Sequence, residues 1–203
     1  MKPFVKICGV TTLEDALACV DAGADAIGFN FWPRSKRHVA VEVAAAIAKK
    51  LPPQLRTVGV FVDPTAAEVD GAFAAGAIDL AQLHGDEPPE FCARFRGRYI
   101  KAFRLRDRAT LQRLGDYDCD LVLVDADSAG YGGSGQRADV TLAADAATRR
   151  RVILAGGLTP DNVAEAIGIV RPYGVDVAGG VEREPGVKDW IKVAAFVARA
   201  KGA

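Results

Sequence analysis

The sequence predicts an α/β protein whose eight parallel strands close into a (β/α)8 TIM barrel, in a single catalytic domain that spans residues 1–203. Eight short runs rich in β-branched residues recur along the chain, and each is followed by an amphipathic stretch. This alternation produces a parallel sheet covered by helices, either an open doubly wound sheet or a closed barrel. Eight units favour the barrel, and no polar linker divides the 203 residues.

The predicted elements follow one another regularly. The strands are, in chain order, VKICG (5–9), AIGFNF (26–31), TVGVFV (57–62), DLAQLHG (79–85), YIKAF (99–103), DLVLVDA (120–126), RVILAGG (151–157) and GVDVAGG (174–180). Apolar residues at helical spacing lie between them, as at Leu13, Ala16, Leu17 and Val20, and again at Val163, Ala166, Ile167 and Val170. Thr12 with Asp15 predicts the start of the first helix, and Thr159 with Pro160 that of the seventh.

Composition and charge favour an ordinary globular protein that acts on a small molecule. The chain is 50% hydrophobic, and its 26 Lys and Arg balance 26 Asp and Glu. Basic residues are scattered among the acids, so we expect no nucleic-acid partner. The amino terminus shows no secretory signal, and no apolar run reaches the roughly 18 residues of a membrane span. These features predict a cytoplasmic protein without a membrane partner, and they leave the oligomeric state open.

The four cysteines predict neither a disulfide framework nor a metal site. Cys8, Cys19, Cys92 and Cys119 show no CxxC pair, and two histidines cannot by themselves form a histidine-rich metal site. We therefore predict no metal. Cys8 differs from the others because it lies where the first strand meets a turn, so its thiol either packs passively or reacts.

Strand alternation predicts which side chains face the barrel interior. Val5 and Ile7 should face the helices, which turns Lys6 and Cys8 inward. The same alternation turns inward Gln82, His84, Leu123, Asp125, Asp176 and Ala178. The first and eighth strands are neighbours in a closed barrel, so we expect Lys6 and Asp176 to form a structural ion pair.

Two AGG segments predict a phosphate site. Gly156 and Gly157 follow the seventh strand, and Gly179 and Gly180 follow the eighth. The loops after these strands are the usual phosphate site of a barrel, where glycine lets backbone amides approach the anion. Tight strand-to-helix turns are the alternative interpretation, since glycine also serves there.

Two further loops reach the same rim of the barrel. VDADSAGYGGSGQ (124–136) combines a strand-end acid, Asp125, with a glycine-rich segment that suits a lid, although a flexible turn would look similar. Asp127 fits a cap or a solvated charge better. FWPRSKRHV (31–39) contains Arg34, Lys36 and Arg37. These side chains are either solvated, or an arginine among them presents its guanidinium to a carboxylate of the ligand.

These motifs, in this order and spacing, resemble the phosphoribosylanthranilate isomerases of tryptophan biosynthesis along the whole chain. The similar segments are VKICGVTTLEDA, GADAIGFNFWPRSKR, VGVFV, QLHGDE, IKAFR, LVDADSAGYGGSGQ, ILAGGLTPDNV and RPYGVDVAGGVE with EPGVKD. The resemblance implies an Amadori rearrangement of N-(5-phosphoribosyl)anthranilate to 1-(2-carboxyphenylamino)-1-deoxyribulose 5-phosphate.

The resemblance also implies roles for individual residues. Cys8 corresponds to the general base, Asp125 to the general acid and Arg37 to the arginine that meets the anthranilate carboxylate. The AGG segments correspond to the phosphate loops, and we expect His84 and Asp176 to bind substrate as well. The substrate iminium serves as the electron sink, so neither a metal nor an organic cofactor is implied.

The thiol of Cys8 and the carboxyl group of Asp125 both require a shifted pKa for these roles. A free thiol is only about 3% thiolate at pH 7, so Cys8 needs a nearby cation such as Lys6. A free aspartate is less than about 0.1% protonated at pH 7, so Asp125 needs a raised pKa, which burial under a lid at 130–135 would supply.

The chain departs from the family pattern at two places. Ala178 and Gly179 stand where two serines are common, and Ala138-Asp139-Val140 replaces Phe-Asp-Trp after the lid. Two other functions remain alternatives: a histidine-pathway or dual-specificity barrel isomerase, and a non-catalytic phosphate-binding barrel. The first uses two aspartates as acid and base, which Cys8 argues against, and the second would have lost the acid or the base.

Overall fold

Eight parallel strands form a closed barrel in which each strand pairs with the next along the chain and the eighth pairs with the first. The structure is a computed structural model that describes residues 2–105, 107–125 and 137–203. The barrel strands are β1 (Phe4–Cys8), β2 (Ala26–Asn30), β3 (Arg56–Phe61), β4 (Leu80–Leu83), β5 (Tyr99–Arg104), β6 (Leu121–Asp125), β7 (Arg151–Ala155) and β8 (Gly174–Val177). The predicted fold is confirmed.

Helices cover the outside of the barrel. They are α1 (Leu13–Asp21), α2 (Val41–Ala48), α3 (Ala66–Ala74), α4 (Pro89–Cys92), α5 (Arg108–Arg113), α6 (Arg137–Arg149), α7 (Val163–Val170) and α8 (Trp190–Lys201). A short antiparallel hairpin, β9 (Glu182–Glu184) with β10 (Val187–Lys188), lies between β8 and α8. No strand pattern in the sequence predicts this hairpin. No helix of the described residues is long and apolar enough to cross a bilayer.

The two predicted helix starts have different outcomes. Thr12 caps α1 as expected, because its hydroxyl accepts a hydrogen bond from the Asp15 amide. The prediction for α7 is wrong by three residues, since the helix begins at Val163. The Thr159 hydroxyl accepts from the Asp161 amide instead, within a turn that precedes the helix.

The predicted alternation of strand side chains is confirmed. Val5 and Ile7 belong to the apolar layer between sheet and helices. A second apolar cluster lies inside the barrel and consists of Ala26, Val58, Ile100, Ala102, Leu123, Ile153 and Ala155. Polar inward residues lie toward the carboxyl ends of the strands, so this end of the barrel differs chemically from its apolar interior.

Two buried ion pairs hold the strands around this polar end. The Lys6 Nζ atom donates to Asp176 Oδ1 at 2.8 Å, which joins β1 to β8 as predicted. On the outer side of β5, Lys101 Nζ lies 2.9 Å from Glu87 Oε2 and donates to the carbonyls of Leu83 and Gly85. The second pair thereby fixes the loop that follows β4.

Candidate active site

A cavity of about 410 Å³ opens at the carboxyl ends of the barrel strands. It is lined by Cys8, Asn30, Arg37, Val60, Gln82, His84, Asp125, Ala155, Gly156, Gly157, Leu158, Asp176, Val177, Ala178, Gly179 and Gly180. Every residue that the sequence analysis assigned to the site therefore borders one space. Closure of the barrel brings these residues together although they are spread over most of the chain.

Cys8 ends β1 at the floor of this cavity, where only 9% of it is exposed. Gly28, its neighbour on β2, leaves the space that the thiol occupies: a Cβ at position 28 would lie 2.8 Å from Cys8 Sγ and 3.2 Å from Lys6 Cε. Burial raises the pKa of the Cys8 thiol and outweighs the lowering by the neighbouring Lys6 ammonium. Without substrate, Cys8 is therefore a thiol at neutral pH, since the Lys6 charge alone does not bring its pKa below the ordinary value.

Lys6 remains charged in spite of its burial. Burial would lower the pKa of Lys6, but the Asp176 carboxylate reverses this effect and the net pKa is raised. The ammonium therefore stays under the thiol as a fixed positive charge. Asp176 uses Oδ1 for this pair while its side chain also borders the cavity.

Arg37 is the one basic residue of its loop that lines the cavity. Its Nε donates to Glu182 Oε1 at 2.8 Å and its Nη2 to Glu182 Oε2 at 2.6 Å, a bidentate pair that raises the Arg37 pKa. The aliphatic part of Arg37 passes over Gly9, where a Cβ would collide with it. Arg34 and Lys36 are exposed and do not border this space.

Glu182 also holds Lys188. The Lys188 Nζ atom is fully buried, donates to Glu182 Oε1 at 2.8 Å, and donates to the carbonyl oxygen of Cys8 at 2.6 Å. Burial would raise the pKa of Glu182, but hydrogen bonds from Arg37 and Lys188 lower it, so the carboxylate is ionised. The β9–β10 hairpin thus connects Arg37 to the backbone of Cys8.

The two AGG loops pack directly against each other. Gly156 and Gly157 have φ of 93° and 60°, conformations that favour glycine. Gly180 approaches the carbonyl oxygen of Leu158 so closely that no side chain fits between them. Gly179 lies beside Arg37, since a Cβ there would be 3.4 Å from Nη2. Both loops are therefore tight turns that also border the cavity, so the two interpretations of the glycines are compatible.

His84 lines the cavity from the end of β4, and its pKa is lowered to about 4, chiefly by burial and then by the Lys6 charge. It is therefore neutral at pH 7. The Gln82 Nε2 atom lies 2.9 Å from His84 Nδ1 and fixes the orientation of the ring. A neutral imidazole in this position binds by hydrogen bonding rather than by charge.

Asp125 ends β6 and borders the cavity, partly buried. Asp127, the predicted lid at 130–135 and the rest of 126–136 lie outside the described residues. Ala138 and Asp139 belong to the first turn of α6. A neighbouring cavity of about 390 Å³ shares His84 but contains neither Cys8 nor Asp125. Across 2–105, 107–125 and 137–203, no cluster of three or more His, Cys, Asp or Glu side chains could hold a metal.

Comparison with known proteins identifies the family. The sequence pattern described as N-(5'phosphoribosyl)anthranilate (PRA) isomerase matches residues 5–199. The chain belongs to this isomerase family. It is 52% identical over 199 residues to the N-(5'-phosphoribosyl)anthranilate isomerase of Geobacter sulfurreducens, with 98% of each chain covered. It is 54% identical over 198 residues to that of Geobacter metallireducens, covering 97% of this chain and 98% of the relative.

A solved structure agrees with this family membership. The crystal structure of a phosphoribosyl anthranilate isomerase in complex with reduced 1-(o-carboxyphenylamino)-1-deoxyribulose 5-phosphate has a TM-score of 0.88 and 39% sequence identity. It covers 99% of this chain and 100% of the matched chain. The predicted family is thus confirmed, and full-length similarity favours the tryptophan-pathway isomerase over the two alternatives.

Gly28, Glu182 and Lys188 position groups at this cavity and were not predicted from the sequence. Gly28 carries a detectable signal, because a glycine inside a strand often marks a close approach by another group. Glu182 and Lys188 lie in a hairpin that has no strong strand pattern, and nothing in their spacing shows that they meet Arg37 and Cys8.

Gly28→Ala should displace the Cys8 thiol, because the added Cβ would lie 2.8 Å from Sγ. We expect turnover to fall at least about tenfold, since a 1 Å misplacement of a reacting group can cost that much or more. Steady-state kinetics with phosphoribosylanthranilate tests this. Gly71→Ala is the control, since no atom lies within 4 Å of a Cβ there. Equal turnover in both variants would show that Gly28 does not position the thiol.

Proposed function

We propose that this PRA isomerase converts N-(5-phosphoribosyl)anthranilate to 1-(2-carboxyphenylamino)-1-deoxyribulose 5-phosphate with Cys8 as general base and Asp125 as general acid. The observation that supports these roles is their position: a thiol and a carboxyl group border one cavity together with both glycine loops. Acid and base thus lie where a phosphorylated sugar can reach both.

The first step opens the sugar ring. Asp125 in its protonated form donates a proton to the furanose oxygen, and the bond between that oxygen and C1 breaks. The nitrogen lone pair forms a C=N bond to C1, which leaves a protonated Schiff base. Asp125 becomes a carboxylate in this step and balances the new positive charge.

The second step transfers the C2 proton to Cys8. The electrons of the C2–H bond form a C1=C2 bond and neutralise the iminium nitrogen, giving an enolamine. Tautomerisation then moves the hydroxyl proton of C2 to C1 and yields the ketone. The cationic Schiff base makes the C2–H bond more acidic, so the reaction needs no electron sink other than the substrate itself.

The thiol of Cys8 must lose its proton before it can act as a base. Its pKa is raised by burial, so the thiolate is scarce in the free enzyme. The fixed Lys6 ammonium and the substrate iminium both favour the thiolate, and the iminium is present only after ring opening. The charge of the intermediate therefore increases the fraction of Cys8 present as thiolate at the moment a base is needed, and the thiol proton passes to solvent.

Three groups of residues would anchor the substrate. Backbone amides of the loops at Gly156–157 and Gly179–180 face the phosphate, with no serine hydroxyls to assist at 178 and 179. Arg37 receives the anthranilate carboxylate. His84 and Asp176 border the same cavity and would hydrogen-bond the sugar hydroxyls.

We further propose that residues 1–203 act as one catalytic domain in the cytoplasm, on a small phosphorylated substrate and without a nucleic-acid or membrane partner. The neutral charge balance and the single closed barrel support this proposal. Neither metal nor organic cofactor enters the steps above, because the substrate supplies its own electron sink.

Cys8→Ala and Asp125→Asn should each lower turnover at least about 100-fold while the barrel stays folded, from the usual contribution of a positioned acid or base. The decay of anthranilate-type fluorescence with freshly generated substrate measures this. Cys119→Ala and Asp120→Asn, at the opposite end of β6, are the controls and should retain activity. Near-normal turnover in either site variant would show that the substituted residue does not have its proposed role.

The pH dependence of Cys8 alkylation should report the raised pKa of this thiol. The free enzyme holds the thiol below that pKa and the thiolate above it, so the rate of iodoacetamide alkylation should rise with pH and continue to rise beyond about 8.5, the value for a free thiol. Turnover does not report this pKa alone, because loss of the Asp125 proton opposes the gain of thiolate as the pH rises. Alkylation rates across pH 6 to 10 measure the rise, with Cys8→Ala as the control for the other cysteines. A plateau reached below pH 8 would contradict the raised pKa.

Arg37→Ala should raise KM by about tenfold or more with little change in kcat, because it removes a charge-assisted contact made equally in ground and transition states. Glu182 keeps Lys188 as a partner in this variant, so folding should persist. Arg34→Ala, in the same loop but away from the cavity, is the matched control. An unchanged KM in Arg37→Ala would show that Arg37 does not bind the substrate carboxylate and favour the alternative that it is solvated.

A further inference from the structure

We infer that Glu182 is a positioning residue that aims the Arg37 guanidinium at the carboxylate of the substrate. This inference rests on the proposed role of Arg37 and adds a residue that the sequence analysis did not assign.

The bidentate pair fixes the plane of the guanidinium. Glu182 engages Nε and Nη2 of Arg37, at 2.8 and 2.6 Å, so rotation about the end of the side chain is blocked. Among the described residues, the Nη1 nitrogen has no hydrogen-bond partner. The edge formed by Nη1 and the second N–H of Nη2 is therefore left for a ligand, and such an edge matches a carboxylate.

The charges around Glu182 leave a net positive site. Arg37 and Lys188 carry one positive charge each and share the single negative charge of Glu182. Glu182 therefore orients the arginine without cancelling the whole positive charge of the cluster. An anionic ligand still finds one excess positive charge, at a nitrogen whose direction is fixed.

Glu182 is itself rigidly held. It is 7% exposed, accepts from the buried Lys188 ammonium and from the Gly186 amide, and lies on a hairpin that donates to Asp15 through the Lys188 amide. The same Lys188 ammonium donates to the Cys8 carbonyl. The geometry therefore couples the direction of Arg37 to the position of the strand that carries the base.

A role of Glu182 through its charge and a role through the orientation of Arg37 predict opposite changes in KM for Glu182→Gln. If Glu182 acted only through its charge, its neutralisation would strengthen binding of the anionic substrate and lower KM. If it positions Arg37, the freed guanidinium samples other rotamers and KM rises, by at least about fivefold, while kcat changes little. The sign of the change in KM therefore separates the two roles.

The decisive experiment is a double-mutant cycle of Glu182→Gln and Arg37→Ala, read as KM and kcat with phosphoribosylanthranilate. Glu182→Gln should raise KM in the wild-type background and have no further effect in Arg37→Ala, because the two residues act as one unit. Glu184→Gln makes the same charge change on the same hairpin at an exposed position and should leave KM unchanged. Glu182→Asp keeps the charge but shortens the side chain, so it should also raise KM.

Each outcome has a distinct meaning. A lowered or unchanged KM in Glu182→Gln, with a raised KM in Arg37→Ala, overturns the inference and leaves the role of Arg37 intact. An unchanged KM in Arg37→Ala overturns the carboxylate assignment and the inference together. If Glu182→Gln does not fold, an unchanged KM in Glu182→Asp overturns the inference instead.

Discussion

The buried ion pair between Lys6 and Asp176 is the constraint on which the active site depends. An unpaired ammonium in the barrel interior would cost on the order of several kcal/mol, so Lys6 requires a carboxylate from a neighbouring strand. Asp176 supplies it across the seam where β8 meets β1. The pair therefore aligns the two strands that carry Cys8 and the second AGG loop, and it leaves a positive charge beneath the thiol.

Charges around the cavity are arranged so that most cancel in pairs. Lys6 is balanced by Asp176, while Arg37 and Lys188 share Glu182. Among these five groups one positive charge remains, which suits a substrate with a phosphate and a carboxylate. Because each cation is held by a fixed carboxylate, the site is oriented before the substrate arrives and little reorganisation is required during the reaction.

Strand alternation made much of this site predictable. The parity of Val5 to Cys8 placed the thiol inside the barrel, and the same rule placed His84, Asp125 and Asp176, because side chains in a strand alternate whatever the surrounding contacts. The start of α7 was misplaced, since Thr159 and Asn162 both offer local side-chain hydrogen bonds and only one of the possible turns forms. Glu182 was missed because its partners are far away in sequence.

Local periodicity and motifs in a fixed order were enough to predict the order of strands and helices, the inward-facing residues and the family. Which charges meet depends on the tertiary structure. Closure of β8 onto β1 brings residues about 170 positions apart into contact, and the hairpin after β8 places Glu182 against Arg37. Burial, which raises the pKa of Cys8 and lowers that of His84, likewise depends on atoms from many separate segments.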